Sequence, residues 1–197
     1  MIRQNAILAV LACAEDGHTY SPVQIQKALL ILSKEASDIF DAGSNFNFQA
    51  YDYGPFDKDV YTELEALSRE ELVEIGVNPQ LTRKTYAVSP EGRRVADDLH
   101  GDHSKDQIEF MAKISSFVRR LSFVDLLSAI YEAYPDMRKK VLPVIFVALR
   151  MKLDRIAEQV FDRENHIGKY WLTLLDKIKK PALLDKIKKP VEPVPKR

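Results

Sequence analysis

The segment from Phe46 to Leu99 restricts the fold more than any other part of the chain, because five structural signals occur in it in a fixed order. In FNFQAYDYGP, Phe46, Phe48 and Ala50 alternate with Asn47, Gln49 and Tyr51, the period of a half-buried strand, and Gly54-Pro55 ends it by turn chemistry. FDKDVYTELEALSRE follows, with Asp57 placed to cap a helix. Phe56, Val60, Leu64 and Leu67 form its buried stripe, and the outer face carries Asp57, Asp59, Glu63, Glu65 and Glu70 against Lys58 and Arg69. Two short apolar runs, LVEIGV and KTYAVS, then flank NPQLTR, whose Asn78-Pro79 is a hairpin-tip signal. Ser89-Pro90-Glu91 opens a second helix with a cap, a proline at the first position and an acid in the first turn.

Strand, helix, two-stranded ribbon and closing helix, in that order, is the layout of a winged-helix module. Ahead of it, Ile2 to Glu15 reads as a helix buried all round and stopped by Asp16-Gly17. Ser21-Pro22 starts another, with Ile25, Ala28, Leu29, Leu32, Ala36, Ile39 and Phe40 on the apolar face and Lys27, Lys34 and Asp38 left for solvent; DAGSN breaks that pattern. Beyond His100-Gly101 the chain is helical throughout. Ser104 and Gln107 form a capping box ahead of the stripe Ile108, Met111, Ile114, Val118 and Leu121; a second helix is stopped by Pro135, and Pro143 starts or kinks a long one that reaches about Phe161. The expected fold is mainly α with a small β element: a winged-helix-like head over 1–101, a helical extension over 102–173 and a basic Pro/Lys tail over 174–197.

Three of these elements carry a resemblance. Ile25-Gln26-Lys27, Ala50-Tyr51-Asp52-Tyr53-Gly54-Pro55-Phe56 and Tyr86-Ala87-Val88-Ser89-Pro90-Glu91-Gly92 resemble the bacterial and phage winged-helix families typified by the Panacea, or SocA-like, antitoxin domain. Those families show a Leu-Gln-Lys-type helix, a strand ending in a Tyr-Gly-Pro or Trp-x-x-Gly-Pro turn, a helix, and a wing closing into a Thr/Ser-x-x-Gly helix start. The resemblance covers about the first half of the chain. It implies a non-enzymatic role: neutralising a partner toxin, or regulation or adaptor work. The chain departs from the pattern at Ala28, where a large apolar residue is usual, and at Asp52, where a basic or neutral one is frequent.

Composition narrows the function classes. The formal net charge of the 197 residues is zero, which gives no support to whole-chain attraction to nucleic acid or membrane. Cys13, the single cysteine, excludes an intrachain disulfide and, within ILAVLACAE, reads as a small buried hydrophobe. No signal peptide is read at the start, VLPVIFVAL falls short of the roughly 18 apolar residues of a membrane span, and a cytoplasmic protein is expected. The tail repeats LLDKIKKP twice, and from Leu174 to Arg197 eight basic residues stand against three acidic ones. Phosphate loop, dinucleotide fingerprint, Cys-x-x-Cys and nucleophile elbow are all missing from the sequence. The His/Asp cluster DDLHGDH, with Asp97, Asp98, His100, Asp102 and His103, reads as a solvated connection, so no metal, cofactor or catalytic residue is expected.

Two functions fit these features. In the first, Tyr51, Tyr53 and Tyr61 are aromatic anchors and Asp59 and Glu63 steering carboxylates of a face that binds a protein partner, a toxin being the natural one. In the second, a winged-helix regulator touches DNA through Arg83, Lys84, Arg93 and Arg94 on the wing and the helix after it. From Pro55 to Glu71 two basic residues stand against six acidic ones, a surface that duplex phosphates repel, which favours the first reading. A homo-oligomer formed through the C-terminal helices is a further expectation.

Overall fold

The computed structural model describes residues 2–15, 18–51, 54–79 and 82–138. The Asp16-Gly17 stop, Tyr53, the helix expected from Pro143 and the Lys-rich repeat lie outside the described residues. Met1–Asp154 forms one compact unit and Arg155–Arg197 another; everything described here belongs to the first. Within it, helices α1 (Ile2–Ala12), α2 (Pro22–Glu35), α3 (Ala42–Asn45), α4 (Asp59–Arg69), α5 (Pro90–Gly101), α6 (Lys105–Arg120) and α7 (Phe123–Ala133) accompany a two-stranded antiparallel sheet, β1 (Val73–Asn78) and β2 (Arg83–Val88). The chain is thus mainly helical with a small β element. No helix among the described residues is long and apolar enough to cross a membrane.

The core is built on α1 and α2. Ala6 to Ala12 are consecutively buried in α1, as are Ile25 to Ser33 in α2, because each helix is enclosed by others on every side. Ser21 caps α2 by accepting from the Gln24 amide while the Gln24 side chain accepts from the Ser21 amide, a reciprocal capping box. Lys27, expected in solvent, is 2% exposed and faces the loop that follows α3. The helix ends at Glu35; Ile39–Asp41 is a 3-10 turn, and DAGSN, expected as a break, contains the helical turn α3.

The aromatic segment keeps its alternation but not its strand. Phe46 and Phe48 are buried and stacked on each other at 5.9 Å, while Asn47, Gln49 and Tyr51 are exposed. Its ladder is a single bridge, Gln49 with Phe56, closed by hydrogen bonds of 3.0 and 2.8 Å across the Gly54-Pro55 turn. The residue that extends the sheet is Tyr20, which exchanges backbone hydrogen bonds of 2.8 and 2.9 Å with Tyr86 of β2. Its hydroxyl donates to the Val10 carbonyl at 2.8 Å or meets Ser115 Oγ at 2.6 Å, so one buried side chain touches α1 and α6.

Both ends of the β1–β2 hairpin are fastened by backbone geometry. After α4, the Glu71 and Leu72 amides bond to the Ser68 and Leu67 carbonyls, a Schellman ending with Glu71 at the left-handed position, φ 61°. Ser89 then joins the end of β2 to that ending: its amide bonds to the Leu72 carbonyl at 3.1 Å, and its hydroxyl donates to the Glu71 carbonyl at 2.6 Å and accepts from the Gly92 amide at 2.9 Å. Gly92 passes so near the Leu72 carbonyl that a Cβ there would lie 2.0 Å from its oxygen. Beyond Gly101, α6 packs on α1 and α2. Met111, Ile114 and Val118 of α6 and Leu126 and Ile130 of α7 share the core with α1 and α2.

Candidate functional site

Gln26 and Lys27, adjacent on α2, both reach the Gly54–Asp57 turn. The Gln26 side chain donates to the Asp57 carbonyl at 2.9 Å and accepts from the Asp57 amide at 3.0 Å, so it substitutes for a strand neighbour. Lys27 Nζ donates to the Pro55 carbonyl at 2.6 Å. Gly54, at φ 85°, leaves the space that the lysine crosses: a Cβ there would lie 3.0 Å from Lys27 Cε. Lys27 forms no ion pair among the described residues, and burial lowers its ammonium from 10.5 to about 7.

Asp57, placed on the outer acidic face by sequence periodicity, is 3% exposed. Its carboxylate accepts from Arg3 at 3.1 and 3.2 Å, from the Asn47 amide at 2.8 Å and from the Asp59 amide at 3.0 Å. It therefore caps α4, as expected, and also anchors α1 and the aromatic segment. The Gln-Lys and Gly-Pro-Phe-Asp stretches are two halves of one tie.

On the far side of this tie runs a row of rings. Tyr51 stacks on Phe56 at 5.2 Å, Phe56 meets Tyr61 at 5.5 Å, and Tyr61 stacks on Tyr86 at 6.3 Å. Tyr61 also donates to the Pro22 carbonyl at 3.4 Å. Burial pushes its phenol up to about 12, and burial followed by the Glu65 carboxylate raises that of Tyr86, so both stay neutral at ordinary pH. Tyr51, at the open end of the row, is 49% exposed and has no competing role in the core.

The row brings Tyr51 and Tyr61 together and leaves the two carboxylates expected beside them elsewhere. Asp59 and Glu63 are four residues apart and share a face of α4, where Asp59 lies 3.8 Å from Arg3. Tyr61 is two residues from each, roughly 200° around the helix. Tyr61 and these two carboxylates thus flank opposite sides of the buried stripe Val60, Leu64 and Leu67. The acid on the Tyr61 side is Glu65, four residues on, paired with Lys84 of β2 at 3.5 Å. Periodicity places Glu65 on the outer face of the helix, and its i, i+4 spacing from Tyr61 is the sequence signal for its place in the site.

The basic candidates have separate duties. Arg93 donates to the Ala12 and Ala14 carbonyls at 2.8 and 3.1 Å, supplying hydrogen bonds to the end of α1. Arg94 pairs with Glu91 one turn earlier, Lys84 with Glu65, and Arg83 is exposed at the start of β2.

Cys13 and His100 come within 3.9 Å, but both aim at the same acceptor, the Ala9 carbonyl, at 3.3 and 3.2 Å. An imidazole nitrogen that donates there carries its proton and does not act as a base toward the thiol. Burial pushes the thiol up to about 12 and lowers the imidazole, keeping both neutral. His103 instead packs edge-on against Phe40 at 4.3 Å. Among the described residues no group of three or more His, Cys, Asp or Glu is placed to hold a metal ion. No protein-family model and no curated protein matches the chain.

Proposed function

We propose that the chain is a non-enzymatic protein-interaction module, antitoxin-like or adaptor-like, carried on a winged-helix-like head and binding its partner beside the wing. The observation that carries this reading is Tyr51: a large ring, half exposed, backed by Phe56, Tyr61 and Tyr86 and held in place by the turn that Gln26 and Lys27 fasten. A rigidly supported exposed aromatic loses little entropy when it is covered, which is what interface anchors require. The helix order supports the fold part of the reading, with Tyr20 bridging to β2 as the short strand ahead of the second helix of a winged helix.

Charge favours a protein partner over duplex DNA. The α4 sequence bears Asp59, Glu63 and Glu65 against Arg69, and Arg93, a basic candidate for phosphate contact, is occupied at the end of α1. A basic protein surface complements the acidic helix. The test is affinity capture from the native host with the wild type, Tyr51→Ser and a Glu65→Lys variant, followed by reciprocal capture with the recovered partner. The reading expects one partner that is lost with Tyr51→Ser and weakened with Glu65→Lys. Tight, sequence-specific duplex binding in gel shifts that disappears with Arg83→Ala/Lys84→Ala would overturn it.

A further inference from the structure

Among the described residues, the β1–β2 hairpin has one unused edge. Tyr86 directs its amide and carbonyl at Tyr20, away from β1, and Ile75 stands directly opposite Tyr86 in the register. Residues opposite each other in an antiparallel pair either exchange both hydrogen bonds or neither, so Ile75 and, two residues on, Val77 direct theirs away from β2. Among the described residues no strand pairs with that side of β1. At Val73 the edge is closed, since that residue is 2% exposed, but Gly76 is exposed and Val77 is 62% exposed, a β-branched side chain left in water next to Lys84. Val73–Asn78 contains no lysine, proline or bulge, and its one charged residue, Glu74, lies toward the closed end of the edge.

We infer that Ile75–Asn78 is a pairing edge for a second copy of this chain, antiparallel across a twofold axis at Gly76. The occupant is argued from self-complementarity. With the axis at Gly76, Ile75 of one copy meets Val77 of the other in a hydrogen-bonded pair, twice, and the exposed valine gains an apolar neighbour. Gly76 faces its own copy in the closer, non-hydrogen-bonded pairing, about 4.5 Å between Cα atoms, where no side chain obstructs the approach. Glu74 falls opposite the neutral Asn78, so no like charges oppose each other, and Pro79, which has no amide to donate, ends the ladder. Moving the axis to Ile75 would engage the closed edge at Val73; moving it to Val77 would set Gly76 against Asn78 and lose both Ile75–Val77 pairs. The contact is isologous and closes as a dimer. Its short ladder buries far less than the roughly 1,200 Å² of a standard interface, so the dimer is weak and concentration-dependent.

Sedimentation velocity of the full chain from micromolar to near-millimolar concentration is the test, with Val77→Lys as the disrupting variant and the thermal melt as a check that it folds. A reversible dimer is expected, with a dissociation constant raised at least about tenfold by the substitution. Gly76→Cys in a Cys13→Ser background should oxidise to a covalent dimer, because a non-hydrogen-bonded pair lies within disulfide reach, whereas Glu74→Cys in the same background should not. A chain that stays monomeric throughout, a dimer indifferent to Val77→Lys, or Glu74→Cys linking as readily as Gly76→Cys would overturn the inference. So would a monomer that captures only foreign extended peptides.

Discussion

Gln26 and Asp57 exchange two hydrogen bonds, one in each direction, between a helical side chain and the backbone of a turn 31 residues later in the chain. A primary amide does this well because its donor and acceptor have the spacing of the peptide group they satisfy. Replacing Gln26 by Leu should leave a buried amide and a buried carbonyl without partners. The expected loss is about 2–4 kcal/mol in urea unfolding, at about 1–3 kcal/mol per abandoned group partly offset by leucine packing. Gln26→Glu keeps the acceptor and should recover part of it at acid pH, where a protonated carboxyl donates again.

Lys27 makes stability depend on pH in a direction that can be stated in advance. Its folded-state value, about 7, lies below the 10.5 of the free side chain, so between those limits the unfolded chain binds the extra proton and the folded chain does not. Stability is therefore lowest, with respect to this group, below pH about 7, and rises as pH climbs toward 10.5. Lys27→Met should remove that slope while the rest of the pH profile stays in place. Chemical denaturation of both proteins at several pH values from neutral to alkaline measures the difference.

Gly92→Ala should be among the most damaging single-methyl changes in the fold. The added carbon would sit 2.0 Å from the Leu72 carbonyl oxygen, and that atom belongs to backbone that Ser89 also holds. Either α5 moves off the end of α4 or the Ser89 cap opens; a loss of more than about 3 kcal/mol is expected, against a gain of about 1 kcal/mol for the same exchange in an unobstructed helix. A melting temperature within a few degrees of wild type would contradict this.

Glu71→Gly should act in the opposite sense. Glu71 sits at a left-handed position that disfavours any Cβ, and its side chain is exposed. Relief of the backbone penalty, about 1–2 kcal/mol, outweighs the greater freedom of glycine in the unfolded chain, so a stabilisation of up to about 1 kcal/mol is expected by equilibrium unfolding.

How much of this was readable in advance depends on the range of each interaction. Caps at Ser21, Ser89 and Ser104, the two hairpin strands and the buried stripe of α4 are decided by neighbours within four residues, and periodicity locates them. Lys27 and Asp57 were misplaced on solvent faces because helical phase counts a charged residue as polar whatever a distant loop offers it. Tyr20 was missed as a sheet residue because a one-residue bridge has no period to detect. At the candidate site, aromatic content pointed to Tyr51 and Tyr61, but which carboxylates stand beside them follows from the rotation of α4 on the core, which the Arg3 and Lys84 pairs reveal.

The buried hydroxyl of Tyr20 has a bearing on how this chain can be shortened. Ser115, one of its two contacts, lies in α6, after the β1–β2 hairpin and α5, and Arg119 lies over the same ring at 5.7 Å. A recombinant fragment ending at Gly101 would retain the β1–β2 hairpin and the aromatic row but open one side of that phenol to water and uncover the α2 face on which α6 rests. Library screens, deletion mapping and crystallisation trials aimed at the β1–β2 hairpin alone should accordingly carry the chain through at least α7, or they will sample a species whose solubility reflects the cut rather than the surface under study.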